Sequence, residues 1–173
     1  MNLVLVGYRG TGKSTIGKRV AEILKLDYVS LDAEIVRRAG MSIPEIVDQH
    51  SWGYFRNLEE EVTRDFSEKD HQVIDTGGGV VTRQANISRL RRSGYVFLLT
   101  AELEDILERI TGDKERPSLT EAQSLREEVI QVLEERAPLY EAAAHSRVNT
   151  SVLSAEEAAK WISQTFLSLD SAG

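Results

Sequence analysis

The 173-residue chain contains no cysteine, which excludes a disulfide framework and any thiolate metal site. Proline is scarce, with 3 residues, and aromatics make up only 6%. No apolar run approaches the length of a membrane span, and the opening "MNLVLVG" lacks the basic leader of a secretory signal. Positive charge is the minority sign: 21 Lys and Arg stand against 28 Asp and Glu, a formal net charge of −7. An acidic chain with a pI near 5.1 is not built as a general nucleic-acid binder, because backbone affinity needs a net basic face. "NIS" (86–88) and "NTS" (149–151) match the glycosylation pattern, but without a secretion signal they read as chance. These absences leave a cytoplasmic protein with no membrane or nucleic-acid partner, and one whose positive charge must be local.

The hydrophobic fraction is 41%, enough for one well-filled core in a single domain over 1–173. Short apolar runs, "NLVLV" (2–6), "YVSL" (28–31), "QVIDT" (72–76), "YVFLLT" (95–100) and "RVNT" (147–150), read as strands. Helical stretches alternate with them: one after the first glycines, with Ile16, Val20, Ile23 and Leu24 on one face, then 43–50, 55–68, 83–92, 102–110, 124–136 and 154–169. Ser124 with Glu127 and Ser154 with Glu157 form capping boxes at the last two. Strands alternating with helices predict an α/β three-layer fold with a five-stranded parallel sheet. The polar stretch "TGDKERPSLTEAQ" (111–123) shows no periodicity, and its place between two helices predicts a mobile lid.

Gly7-Tyr8-Arg9-Gly10-Thr11-Gly12-Lys13-Ser14 fits G-x-x-x-x-G-K-[ST] between an expected strand and helix. In that pattern the glycines aim backbone N–H groups into one concavity, and the helix adds its positive end. Lys13 is suited to reach the β- and γ-phosphates of a nucleoside triphosphate and Ser14 to ligate Mg²⁺. The dinucleotide fingerprint fails here, because its third small position falls on β-branched Thr15. "DTGG" (75–78) satisfies the loose D-x-x-G of a switch GTPase, but no N-K-x-D follows to read guanine. The chain is also short for the extra layers of a motor. A small kinase remains, in which a lid closes over donor and acceptor to exclude water.

Beyond the cradle, dispersed motifs resemble the shikimate kinase family from end to end. They are "GYRGTGKST", the acidic pair in "LDAE" (31–34), "FRNLE" (55–59), "TGGG" (76–79), "ERPSL" (115–119) and "ERAPLY" (135–140). The resemblance implies transfer of the γ-phosphoryl of ATP to the 3-hydroxyl of shikimate, with Mg²⁺, by a monomer in aromatic amino-acid biosynthesis. It implies nucleotide contacts at Gly10, Thr11, Gly12, Lys13, Ser14 and Thr15. It also implies an adenine-stacking role for Arg109 opposite 150–153, and stabilisation of the transferring oxygens by Arg116 in the lid. Taken alone, Arg56 and Arg136 are ordinary surface arginines; the resemblance makes them the fork that grips the acceptor carboxylate, a task lysine cannot copy. Gly77, Gly78 and Gly79 would bring bare backbone against the acceptor. Asp32 would help position Mg²⁺ with Ser14, Glu34 would meet the attacking hydroxyl, and Asp75 is a second candidate for the metal shell. The acceptor region spans about 32–60.

The chain departs from the family pattern in three places. Glu34 stands where aspartate is usual, adding about 1.3 to 1.5 Å of reach, and an error of that size in a positioned group can cost about a hundredfold. Ser51-Trp52 replaces the usual Gly-Glu, so that Trp52 either walls the acceptor pocket or caps the small helical region. The lid has Arg-Pro-Ser-Leu in place of Arg-Pro-Leu-Leu. Two other readings stay open on these residues: a related kinase for another small hydroxy or sugar acid such as gluconate, and a non-catalytic nucleotide-binding relative.

Overall fold

The computed structural model describes residues 1–111, 118, 120 and 124–170. Five strands, β1 (Asn2–Val6), β2 (Asp27–Ser30), β3 (Gln72–Asp75), β4 (Gly94–Thr100) and β5 (Ser146–Asn149), form one sheet in the order β2-β3-β1-β4-β5. Every pairing is parallel; Leu3 faces Val73 on one side and Tyr95 on the other. β1 is buried at every position because it lies at the centre with helices on both faces. Successive side chains of a strand point to opposite faces, which splits the core in two. Val4, Val6, Ile74, Val96 and Leu98 belong to one cluster, and Leu3, Leu5, Val73, Phe97 and Leu99 to the other.

The second cluster is closed by α1 (Lys13–Leu24) through Ile16 and Val20, and by α8 (Ala155–Asp170) through Ala158, Ala159 and Ile162. The first is closed by α2 (Leu31–Ala39), α3 (Ile43–Gln49), α4 (Trp52–Ser67), α5 (Gln84–Ser93), α6 (Leu103–Ile110) and α7 (Leu125–Ala143). A single 3-10 turn, Val80–Thr82, follows the glycines after β3. The parallel five-stranded sheet and flanking helices are thus those expected from the strand–helix alternation.

Two elements differ from expectation. Residues 31–39 form a helix that starts with no intervening loop, because Ser30 ends β2 and at the same time caps α2, its hydroxyl accepting from the Ala33 N–H at 3.2 Å. Helix α7 continues past 136 to Ala143 despite Pro138 inside it; its last turns stay helical because they bury Tyr140 and Ala143. The parallel strands all end on one edge, which gathers the loops after β1, β3, β4 and β5 and the start of α2 around one cleft.

Candidate active site

The loop between β1 and α1 has the backbone of a phosphate nest. Gly7, Gly10 and Gly12 have φ of 147°, 78° and 94°, a region open to glycine and strained for other residues. A Cβ at Gly10 would also stand 2.8 Å from Ile110 Cγ2. Lys13 is nearly buried and its Nζ donates to the carbonyls of Gly7 at 2.8 Å and Tyr8 at 3.1 Å, so the ammonium lies over the loop that precedes it. Gly10, Gly12, Lys13, Ser14 and Thr15 line a cleft of about 490 Å³ with Ser30, Asp32, Asp75, Gly78 and Arg109. Thr11, buried, faces inward and ties the loop by donating from its hydroxyl to the Tyr8 carbonyl at 2.7 Å.

Arg109, in the last turn of α6, donates to the Gly10 carbonyl at 3.0 Å and to the Thr150 hydroxyl and carbonyl, both at 3.0 Å. The Thr150 hydroxyl in turn donates to the Thr11 carbonyl at 2.8 Å. Arg109 and the loop after β5 therefore stand together at one end of the cleft. Near its floor, Ser14 Oγ donates to Asp75 Oδ2 at 2.6 Å, and Tyr28 donates to the same oxygen at 2.7 Å. Burial and the neighbouring Asp75 charge push the Tyr28 hydroxyl up, so it remains a donor. A hydroxyl and a carboxylate side by side are the hard oxygen donors that suit Mg²⁺, which takes few protein ligands and keeps phosphate and water oxygens for the rest.

A second, more enclosed pocket adjoins the cleft. It is lined by Tyr8, Arg9, Trp52, Phe55, Arg56, Glu59, Gly78, Gly79 and Arg136. Arg56, on α4, and Arg136, on α7, thus converge from different helices, and both are largely buried: Arg136 is 9% exposed and the Arg56 side chain 15%. The Arg56 guanidinium lies 5.5 Å from the Trp52 ring centre and 5.2 Å from that of Phe55, a cation–π setting that holds the fork flat. Trp52 therefore walls this pocket, while Ser51 caps α4 by accepting from the Tyr54 N–H at 3.0 Å.

The three glycines after β3 serve this geometry through their size. None has a positive φ. A Cβ at Gly79 would overlap the Arg56 guanidinium, and one at Gly77 would come within 2.7 Å of Asp32 Oδ1 and 2.9 Å of Glu59 Oε2. The Gly78 carbonyl accepts from the Tyr140 hydroxyl at 2.5 Å, and burial pushes that hydroxyl up to about 12. The glycine run thus leaves room for the acidic and basic side chains that surround it.

The acidic pair separates. Two residues apart on a helix differ by about 200° in direction, so Asp32 and Glu34 face different ways from α2. Asp32 lines the cleft beside Gly77. Glu34 is held by Arg37 at 2.7 and 2.8 Å and Arg38 at 2.8 Å, and these guanidinium donors, Arg37 first, hold its carboxyl well below the usual carboxylate range, at about 2. The resemblance implied that Glu34 meets the attacking hydroxyl; the helical start at Leu31 turns it toward Arg37 and Arg38 instead. Arg116 and most of 111–123 lie outside the described residues.

Glu59 was missed in the sequence. It is 1% exposed, pairs with Arg56 at 2.8 Å, and burial in first place raises its carboxyl above the ordinary value against the opposing pull of Arg56. Its signal was the i, i+3 spacing of Arg56 and Glu59 inside "FRNLE", which puts both on one helix face.

A phosphate cradle after the first strand of a parallel sheet, next to a pocket with paired guanidinium groups, defines the class of P-loop small-molecule kinases. The shikimate kinase family model matches residues 9–166. The chain is 38% identical to the shikimate kinase of Caldanaerobacter subterraneus, over 97% of each, and 42% identical to that of Geobacter sulfurreducens, over 90% of this chain and 85% of that one. Its fold matches shikimate kinase from Acinetobacter baumannii, solved in complex with shikimate, with a TM-score of 0.92 and 34% identity over 97% of this chain and 93% of that one. The chain belongs to the shikimate kinase family.

Proposed function

We propose that the chain transfers the γ-phosphoryl of ATP to the 3-hydroxyl of shikimate, giving shikimate 3-phosphate and ADP in the route to the aromatic amino acids. The observation that carries this reading is the convergence of Arg56 and Arg136 on one enclosed pocket beside the phosphate nest. A carboxylate between two such forks gains charge-assisted, directional hydrogen bonds, and the relative from Acinetobacter baumannii was solved with shikimate bound. Gly10, Thr11, Gly12, Lys13, Ser14 and Thr15 hold the nucleotide phosphates, and Arg109 with Thr150 marks the adenine end. Arg116 is assigned the transferring oxygens from the family pattern.

Asp32, lining the cleft beside Gly77, takes the role of orienting the acceptor hydroxyl and receiving its proton. The hydroxyl oxygen bonds to phosphorus as the bond to the β–γ bridging oxygen breaks, and ADP leaves with that electron pair. Such transfer relies on positioning and charge stabilisation more than on strong base catalysis. Mg²⁺, held from the Ser14 side with Asp75 and Asp32 nearby, would supply charge neutralisation at the phosphates. Among the described residues no helix is long and apolar enough to cross a membrane, which fits a cytoplasmic enzyme.

The test is purified protein with ATP, Mg²⁺ and a panel of hydroxy and sugar acids including gluconate, with ADP release followed. Shikimate should be the preferred acceptor, and Lys13→Ala should abolish turnover in a folded protein. Tight ATP binding without turnover of shikimate would defeat the assignment.

A further inference from the structure

Arg9 is the residue the reading above leaves unused. It occupies a variable position of the phosphate loop, and it lines both cavities: the nucleotide cleft with Lys13, Asp32 and Arg109, and the acceptor pocket with Arg56 and Arg136. Among the described residues Gly78 is the one other that lines both, so the two cavities meet where Arg9 stands. The phosphoryl group must cross at that junction.

The guanidinium is poorly used by the protein. Its side chain is 13% exposed, and its Nε is buried with no hydrogen-bond partner among the described residues. Its ion pair with Glu128 on α7 spans 3.6 Å, too long for a hydrogen bond. A buried, always-charged fork with unspent donors is costly unless something anionic completes it. Glu128 is itself fixed: it is 5% exposed, and its Oε2 accepts from the Ser118 hydroxyl at 2.6 Å. Its Oε1, the oxygen facing Arg9, has no hydrogen-bond partner among the described residues. Glu128 thus holds Arg9 near the junction without consuming its donors.

We propose that Arg9 is a further catalytic residue of this enzyme, binding the oxygens of the phosphoryl group as it passes from ATP to the acceptor, and that Glu128 is the residue that positions it. The inference rests on the phosphotransferase reading. Charge spreads over the transferring oxygens in the loose transition state, and a preorganised donor aimed at that charge acts on the chemical step more than on the binding of either substrate.

The experiment compares wild type with Arg9→Met, Arg9→Lys, Glu128→Gln and the Arg9→Met/Glu128→Gln double variant. First, kcat, the KM for shikimate and the Kd for ATP are measured. Second, ADP, aluminium fluoride and shikimate are combined as a mimic of the transferring group, and its binding is titrated. Arg9→Met should lower kcat about 100-fold, the scale of one lost transition-state donor, with KM and Kd within about threefold. Arg9→Lys, which keeps the charge, should recover part of the loss. Glu128→Gln should lower kcat about tenfold, and the double variant should be no worse than Arg9→Met alone, as expected when one residue acts through the other. The mimic should lose affinity in Arg9→Met in proportion to kcat, while ADP alone binds as before. Near-normal kcat in Arg9→Met, or equal loss of ADP, shikimate and mimic binding, overturns the proposal and makes Arg9 a structural strut. If Arg9→Met fails to fold, Arg9→Lys decides: an unchanged mimic affinity and kcat sink the idea. Failure of wild type to phosphorylate shikimate would instead count against the functional reading itself.

Discussion

Asp32 and Glu34 share a charge and a helical turn, yet their surroundings give them different work. Glu34 is neutralised by Arg37 and Arg38 near the surface, where ion pairs are worth well under about 1 kcal/mol each. Asp32 sits at the cleft against Gly77. Asp32→Asn should therefore reduce kcat by about 100-fold or more, the range for a positioned proton acceptor, while Glu34→Gln should stay within about threefold; steady-state kinetics with shikimate separates the two. The same contrast has a pH signature. The Glu34 carboxyl is held at about 2, below its unbound value of 4.5, so its stabilising contribution is present above about pH 4.5 and fades as pH falls toward 2. Thermal unfolding of wild type and Glu34→Gln should differ slightly at neutral pH and converge at acid pH. Gly79 gives the complementary case, in which a single added methyl group matters. Because a Cβ there would overlap the Arg56 guanidinium, Gly79→Ala should displace that fork and raise the KM for shikimate by more than about tenfold, the scale of a lost charge-assisted bond, with ATP affinity unchanged by calorimetry.

At the scale of elements, the cap of α4 controls how the acceptor pocket is presented. Ser51 accepts from the Tyr54 N–H, and the first turn that it fixes carries Trp52 and Phe55 and leads directly into Arg56. Loss of an N-cap costs about 1 kcal/mol, so Ser51→Ala should lower Tm by about 2 to 4 °C and weaken shikimate binding while sparing ATP, as melting and titration would show. Elements of this kind were legible in the sequence where a local rule was strong. The phosphate loop has fixed spacing, the strands are short apolar runs, and α8 has both its capping pair and its stripe. Helix α2 was illegible because Ser30 does two jobs at once: no loop punctuates the change from strand to helix, and Leu31 continues the apolar run. The end of α7 was hidden by Pro138, normally a helix breaker, and only the tertiary burial of Tyr140 and Ala143 keeps that segment helical. In the site, Arg56 and Arg136 carried no local signal, since their meeting depends on how α4 and α7 pack. Glu59 was visible as a spacing, but its burial is a property of the assembled pocket.

Across the whole molecule, the sheet divides chemistry from scaffold. Both pockets open along the carboxyl edge of the strands, and the helices that supply the acceptor side, α2 to α4 with α7, pack on the face that holds Val4 and Val6. The opposite face holds Leu3 and Leu5 under α1 and α8. Of these two helices, α1 begins in the phosphate loop, whereas α8 contributes no residue to either pocket. The core beneath α8 is therefore a place to change stability without changing catalysis. Ile162, fully buried there, tests this: Ile162→Ala should cost about 3 kcal/mol through lost burial and an unfilled cavity, which for a chain of this size lowers Tm by roughly 6 to 12 °C. Turnover measured well below that Tm should match wild type. Val132→Ala, on α7 and on the other face, removes less volume but lies one turn before Arg136, and should raise the KM for shikimate as well as lower Tm. If Ile162→Ala instead impaired kcat at temperatures where the protein is folded, the two faces would be coupled through β1 and the phosphate loop, and the division would fail.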